Sequence, residues 1–327
     1  MRRSRWLAAL AIAGCLVAGA VPATAAPATT VLGAGADGCT SARGAVVPTA
    51  ASGGLFAEAL SRHVTWLTTL SCTATGIRHD GAPRVNNLLS NNWSGYQVTQ
   101  HANYAQGGWT VPTVTAPVPG YSTTGYYSST WAGIGGGFNA GNGALIQAGT
   151  TQDVAPNGAT TYYAWYEIVG GIGDTGSERR INNLPVHPGD FVGGVGLYTA
   201  SGAQAGVCNF TIGTCVSVPL TSSPPGTTAE WIVEAPYSGG ILPLADFHTV
   251  TFSNSCWALA YVQGGSCSSI RAGGAQPISM QQYAFGSYQT VAIPGALSAD
   301  GGGFTDGYYQ PFQQGPPCGH PGQPACP

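Results

Sequence analysis

From Asn91 onward, short runs rich in Val, Ile, Thr, Tyr and Trp alternate with Gly, Pro, Asn and Ser at close intervals, the spacing of an all-β fold. Strands are expected at 93–98, 105–114, 128–133, 144–149, 160–168, 191–199, 206–211, 215–220, 228–234, 247–253, 257–262 and 278–293. So many short strands require a sandwich or a barrel. The most aromatic of them, 160–168, alternates so that Tyr163, Trp165 and Glu167 share a face. Gly133-Ile-Gly-Gly-Gly137 reads as turn material of a Gly-rich β protein rather than as a phosphate loop.

The run Thr227-Thr-Ala-Glu-Trp-Ile-Val-Glu234 puts two carboxylates into a strand of a chain that is only 7% charged. Strand alternation sets Glu230, Ile232 and Glu234 on one side and Trp231 and Val233 on the other. A glycosidase needs two carboxyl groups ~5–9.5 Å apart. Four strand residues separate the Cα atoms of Glu230 and Glu234 by roughly 13 Å, so that pair alone fits poorly, although Glu167 could partner either through the fold.

Charge excludes one class of partner. All ten basic residues are Arg, and only Arg179, Arg180 and Arg271 lie beyond residue 84, against ten carboxylates over the same region. The resulting formal charge of −7 leaves no basic stripe for nucleic acid. In acid the carboxylates discharge and few cations remain, so self-repulsion stays weak. The surface suits acid; the alternative is a neutral Ser/Thr/Asn-rich secreted protein.

Residues 1–26 combine Arg2, Arg3 and Arg5, an apolar run from Trp6 to Val21 and the small-residue end Ala23-Thr24-Ala25, a secretory signal peptide. Ile12-Ala13-Gly14-Cys15 also fits a lipoprotein box, but the apolar run continues past Cys15. It is shorter than the ~20 apolar residues of a membrane span, so a secreted, extracellular chain with no membrane attachment after signal removal is expected. Eight cysteines remain, in sequence-local pairs that suggest disulfides 39–72, 208–215, 256–267 and 318–326. No CxxC pair or tight Cys/His set supports zinc or another metal, and no organic cofactor is implied.

Residues 27–85 differ in character from the β-rich region after them. They hold Arg43, Arg62, Arg78 and Arg84, and Leu55, Phe56, Ala59, Leu60, His63, Leu67 and Leu70 recur at helical spacing. A small, relatively basic segment ahead of an acidic β domain reads as a prosegment, held partly by charge pairs that acid would weaken; the alternative is a subdomain that stays attached. Residues 86–310 form the β domain, and 311–327 a Pro/Gly/Gln-rich tail. A monomer is expected.

Seven strings in order carry a specific resemblance: Asn92-Trp-Ser-Gly95, Gly108-Trp-Thr-Val-Pro112, Ser129-Thr-Trp-Ala-Gly-Ile134, Leu145-Ile-Gln-Ala-Gly149, Tyr163-Ala-Trp-Tyr-Glu167, Ala229-Glu-Trp-Ile-Val-Glu234 and Pro243-Leu-Ala-Asp-Phe247. Together they resemble the glutamic peptidases, or eqolisins. That resemblance implies a β-sandwich of two antiparallel sheets, secretion, polypeptide substrates and acid endopeptidase activity. It implies Gln147 and Glu234 as the catalytic pair, with Trp131, Trp165 and Glu167 lining the substrate site. Where fungal members carry Asp after Gly-Ile this chain has Gly135, and where they carry Asp before Ala-Trp-Tyr it has Tyr163; a relative inactivated by those changes is one alternative. A lectin-like sandwich stacking exposed Trp and Tyr on sugar rings is another.

Overall fold

A computed structural model describes residues 64–81, 84–86, 88–117, 122–260, 266–284 and 287–309, which all fall in one compact unit. The signal segment, the cysteines at 39, 318 and 326, and the tail lie outside these residues. Apart from a 3-10 turn at Arg271–Gly273, the regular structure they form is β, in two stacked sheets.

The front sheet holds β2 (Cys72–Ala74), β5 (Trp93–Val98), β7 (Tyr126–Ile134), β8 (Leu145–Val154), β9 (Thr160–Val169), β10 (Arg179–Ile181), β14 (Ala229–Glu234) and the start of β17 (Gln276–Ala284). Its order is β2-β10-β9-β8-β7-β14-β5-β17, antiparallel throughout. The back sheet runs from β1 (Thr65–Trp66) through β13 (Thr214–Leu220), β12 (Gly202–Asn209), β11 (Phe191–Thr199), β6 (Tyr104–Thr110) and β15 (Thr249–Ala258). It continues through β19 (Phe304–Tyr308), β18 (Ser287–Pro294) and the end of β17 to β4 (Leu89–Ser90) and β3 (Arg84–Asn86), with β16 (Ser268–Ser269) beside β15. Among these strands only β1 with β13 and β4 with β17 pair in parallel, each near an edge. The expected sandwich is therefore present, with β17 shared between its layers.

Alternation builds the core. Ala132, Ile134, Ile146, Ala148, Tyr166, Ile168, Trp231 and Val233 point from the front sheet into the same buried cluster as Trp109, Val192, Val207, Val216 and Phe252 of the back sheet. Full burial of each large aliphatic side chain contributes about 1.5–3 kcal/mol. Trp231 and Trp109 also need partners for their ring N–H groups, and each finds one across the layers: Gln106 O at 2.7 Å and Thr150 Oγ1 at 3.0 Å. The sheets approach closely at Gly194, where a Cβ would stand 2.4 Å from Ala148 O.

Three expectations change. The helical pattern over 55–70 fails where it is described: from Val64 the chain is extended, and Thr65 and Trp66 pair with Thr214 and Cys215. Leu67 and Leu70 still bury, but against the sandwich, so tertiary pairing overrides the period; residues 55–63 lie outside the described part. The runs 247–253 and 257–262 meet, as far as they are described, in the one strand Thr249–Ala258 with a bulge between Ser253 and Cys256, and 278–293 holds two antiparallel paired strands rather than one. Disulfides 208–215 and 256–267 are present, and Cys72 is disulfide-bonded.

Candidate active site

Register across β14, β7, β8 and β9 sorts the front sheet's outer face into rows. Glu230, Gly133, Gln147 and Glu167 stand in one, Ile232, Trp131, Gly149 and Trp165 in the next, and Glu234, Ser129, Thr151 and Tyr163 in the third. Residues two apart on a strand share a face, so Gln147, Glu167, Trp131, Trp165 and Glu234 all project to the same side, away from the core. Gln147 lies in the row of Glu230, with Gly133 of the intervening strand between them, and two rows from Glu234.

What joins Gln147 to Glu234 is a residue from far upstream. His79 lies fully buried over this face, its ring stacked on Trp165 at 3.9 Å between centroids and 5° between planes. Its main-chain N–H donates to Glu167 Oε2 at 2.9 Å, and its carbonyl oxygen accepts from Gln147 Nε2 at 2.9 Å. Its Nδ1 lies 3.2 Å from Glu234 Oε2 and its Nε2 2.7 Å from Glu178 Oε2. Both ring nitrogens therefore face carboxylates, which suits the doubly protonated imidazolium. Burial works against that charge, but Glu234 and Glu178 outweigh it and raise His79 to about 10.

The carboxylates are individually braced. Glu234 Oε2 also accepts from Trp131 Nε1 at 2.8 Å, and its Oε1 from Asn92 Nδ2 at 3.2 Å. Burial raises its pKa, with His79 and Trp131 pulling the other way. Glu178 accepts from Tyr163 OH at 2.6 Å and Thr151 Oγ1 at 3.3 Å. Burial lifts Glu167 to about 8, against the opposing pull of His79. Gln147 Oε1 and Glu167 Oε1 have no hydrogen-bond partner among the described residues, so the amide keeps a free acceptor beside its engaged donor.

Thus all five residues expected at the site lie on one face, and four of them touch His79; Trp131 reaches it through Glu234. Three members of the cluster had no such expectation. Asn92 lies in the first resembling string, and Glu178 precedes Arg179-Arg180 in a charge-poor chain, which are weak signals. His79 had none, because nothing local says where residues 72–80 will lie. Trp131 and Trp165 are fully buried, as are Trp93, Trp109 and Trp231, so the exposed stacking rings of a lectin-like surface are not among them. Gly135 has φ +103°, and a Cβ there would stand 2.1 Å from Ala144 O, which explains why no acid occupies it. Tyr163, standing where an acid was expected, hydrogen-bonds Glu178, which brings a carboxylate to the same corner.

The family model described as the Peptidase A4 family matches residues 91–295. Among solved structures, Scytalido-glutamic peptidase, crystallised with a peptide-based transition-state analogue, superposes with a TM-score of 0.50 at 21% identity, covering 67% of this chain and 98% of that one. At that identity the likeness is one of fold. The tailspike protein 2 of bacteriophage CBA120 covers 61% of this chain and 32% of its own at 13% identity and a TM-score of 0.27, too weak to argue from. No curated protein matches.

Proposed function

This chain belongs to the peptidase A4 family, a family of peptide-bond hydrolases, and we propose that it is a secreted endopeptidase that works in acid through Gln147 and Glu234. Amide hydrolysis needs water to lose a proton as it attacks, the carbonyl oxygen to be stabilised as it gains charge, and the leaving nitrogen to be protonated. Glu234 takes the water's proton and returns it to the amine. Gln147 donates Nε2–H to the oxyanion and orients the water with Oε1. Asn92 and Trp131 hold the Glu234 carboxylate by donating to it, favouring its ionised form.

The observation that supports this most is the pose of a main-chain peptide unit in the site. The His79 carbonyl oxygen lies 2.9 Å from Gln147 Nε2, and its own ring lies 3.2 Å from Glu234 Oε2. An amide donor and a carboxylate thus flank one residue of extended polypeptide. Trp165, stacked under it, and Glu167, bonded to its N–H, are the substrate-binding residues of this reading. Secretion is supported by the signal-type start and the disulfides. Residues 27–85 are the prosegment, and 86–310 the catalytic domain. A working range of roughly pH 3 to 5 comes from the ordinary carboxyl range together with the family's character.

The test is turnover of a denatured protein by purified full-length chain near pH 4, with pepstatin present to exclude aspartic peptidases. Hydrolysis that disappears in Glu234→Gln is expected. Undiminished hydrolysis in that variant overturns the assignment.

A further inference from the structure

Residues 72–80 lie across the site as an added strand. Cys72, Thr73 and Ala74 pair with Ile181, Arg180 and Arg179 at the edge of the front sheet. Beyond them Thr75 N donates to Glu178 O at 3.4 Å, and Glu178 N to Ile77 O at 2.7 Å. Arg78 exchanges two main-chain hydrogen bonds with Tyr237, both 2.8 Å. Its guanidinium is clamped by Asp174 through two contacts of 3.2 Å and by Asp80 at 3.0 Å. The next peptide unit is the one held by Glu167 and Gln147. Main-chain pairing at a sheet edge with one side chain inserted is how an extended peptide is bound.

The inserted side chain occupies the place beside Glu234 that the proposed scheme gives to water. Glu234 must reach a water beside the carbonyl, and the imidazole stands against its Oε2 instead, with no exposed surface on either partner. Glu178, which the catalytic scheme does not use, holds the other ring nitrogen.

We infer that residues 72–80 are a built-in competitive ligand of the cleft, bound in the manner of a substrate, with His79 as the blocking side chain and Glu178 and Glu234 as its grip, loosened in acid as the Asp174 carboxylate that clamps Arg78 discharges. This rests on the roles given above to Gln147 and Glu234.

The direction of the pH effect is set by the groups that hold His79 and Arg78. Those facing His79 are Glu234 from β14, Glu178 ahead of β10, Glu167 and Tyr163 from β9 and Asp153 from β8, with Arg180 over the Tyr163 ring. Arg78, Asp80 and Asp174 secure the strand itself. While the strand is seated, the Arg78 guanidinium outweighs partial burial and, with the Gly170 and Gly176 N–H groups, holds the Asp174 carboxyl below its ordinary value. Asp174 therefore binds its proton more tightly once Arg78 leaves, and acid that reaches the ordinary carboxyl range favours the open cleft. The ring in turn holds its proton more tightly when seated, so alkali above its ordinary 6.5 also loosens it. The grip is strongest near neutrality.

The experiment compares full-length wild type, His79→Ala and Glu178→Gln on a small quenched peptide at pH 6.5 and 3.5. Activity scales with the open fraction, so His79→Ala is expected to be about tenfold or more faster than wild type at pH 6.5, with the ratio falling toward one at pH 3.5. Glu178→Gln moves the same way by a smaller factor and stands in if the alanine variant does not fold. A ratio that is independent of pH, or a variant slower at both, overturns the inference. Amide exchange of Thr75, Arg78 and His79 in the full chain reads the strand without relying on catalysis: protection is expected to drop about tenfold or more, relative to amides of β8, between pH 6.5 and 3.5. Unchanged protection overturns the built-in ligand, even for a chain that proves an active peptidase; lost protection without hydrolysis at any pH overturns the catalytic roles instead.

Discussion

Glu230 and Glu234 sit four residues apart on the same face of the same strand, and both are completely buried, yet their surroundings differ in kind. Glu230 is closed under the turn after β7: its Oε1 accepts from Gly137 N at 2.8 Å, its Oε2 has no partner among the described residues, and burial raises it to about 7. Glu234 is met by Asn92, Trp131 and His79, groups that arrive from three different parts of the chain. Burial alone therefore does not make a general base. The carboxylate that the proposed scheme uses as base is the one met by directed side-chain donors, with a place beside it that another group can enter.

The sharpest way to break the comparison is to neutralise each acid in turn. Glu234→Gln is expected to lower kcat about 10²–10⁴-fold, the range of lost general acid–base catalysis, whereas Glu230→Gln stays within a few-fold of wild type. Equal losses on a peptide substrate would erase the distinction. Next comes the amide: Gln147→Ala removes one oxyanion donor and is expected to cost about 10²–10³ in kcat. Wild-type kcat in that variant would leave Glu234 without its partner.

Smaller effects test the closed side. Gly135→Asp restores the acid expected from the resemblance, but φ +103° and the 2.1 Å approach to Ala144 O forbid a side chain. Backbone strain alone costs about 1–3 kcal/mol, and urea unfolding should show at least that loss. The closed side is tested also by the pH dependence of stability. Glu167, Glu230 and Asp306 are raised by burial to about 8, 7 and 8 from ordinary values of 4.5, 4.5 and 3.8. A carboxyl raised on folding stabilises fully below its unfolded pKa and loses that contribution as pH climbs through the folded one. Thermal scans from pH 4 to 8 should show Tm falling, and Glu230→Gln should flatten the fall without abolishing it. A Tm that rises over this range would contradict the burial of these acids.

Much of the fold and site is legible in the sequence, for reasons that differ by element. β5 and β11 fall at the residues their alternation marks, because strand faces are a local property repeated every two residues. β10 and β19, three and five residues long, have too little pattern to stand out. The bulge in β15 leaves Asn254 at φ +51°, and that kink makes one strand read as two. Gln147 and Glu234 are legible through the strings around them, and Glu167 through its place beside Trp165.

By itself the sequence determined most of the long strands, their alternating faces, two of the disulfides and that Glu230 shares a side with Glu234, all consequences of short-range periodicity and spacing. Tertiary structure alone decided that residue 79 lies over residues 147, 167, 178 and 234. That proximity depends on strand order and on a segment docking at a sheet edge, and hydrogen bonds between strands distant in the chain leave no periodic trace in either partner.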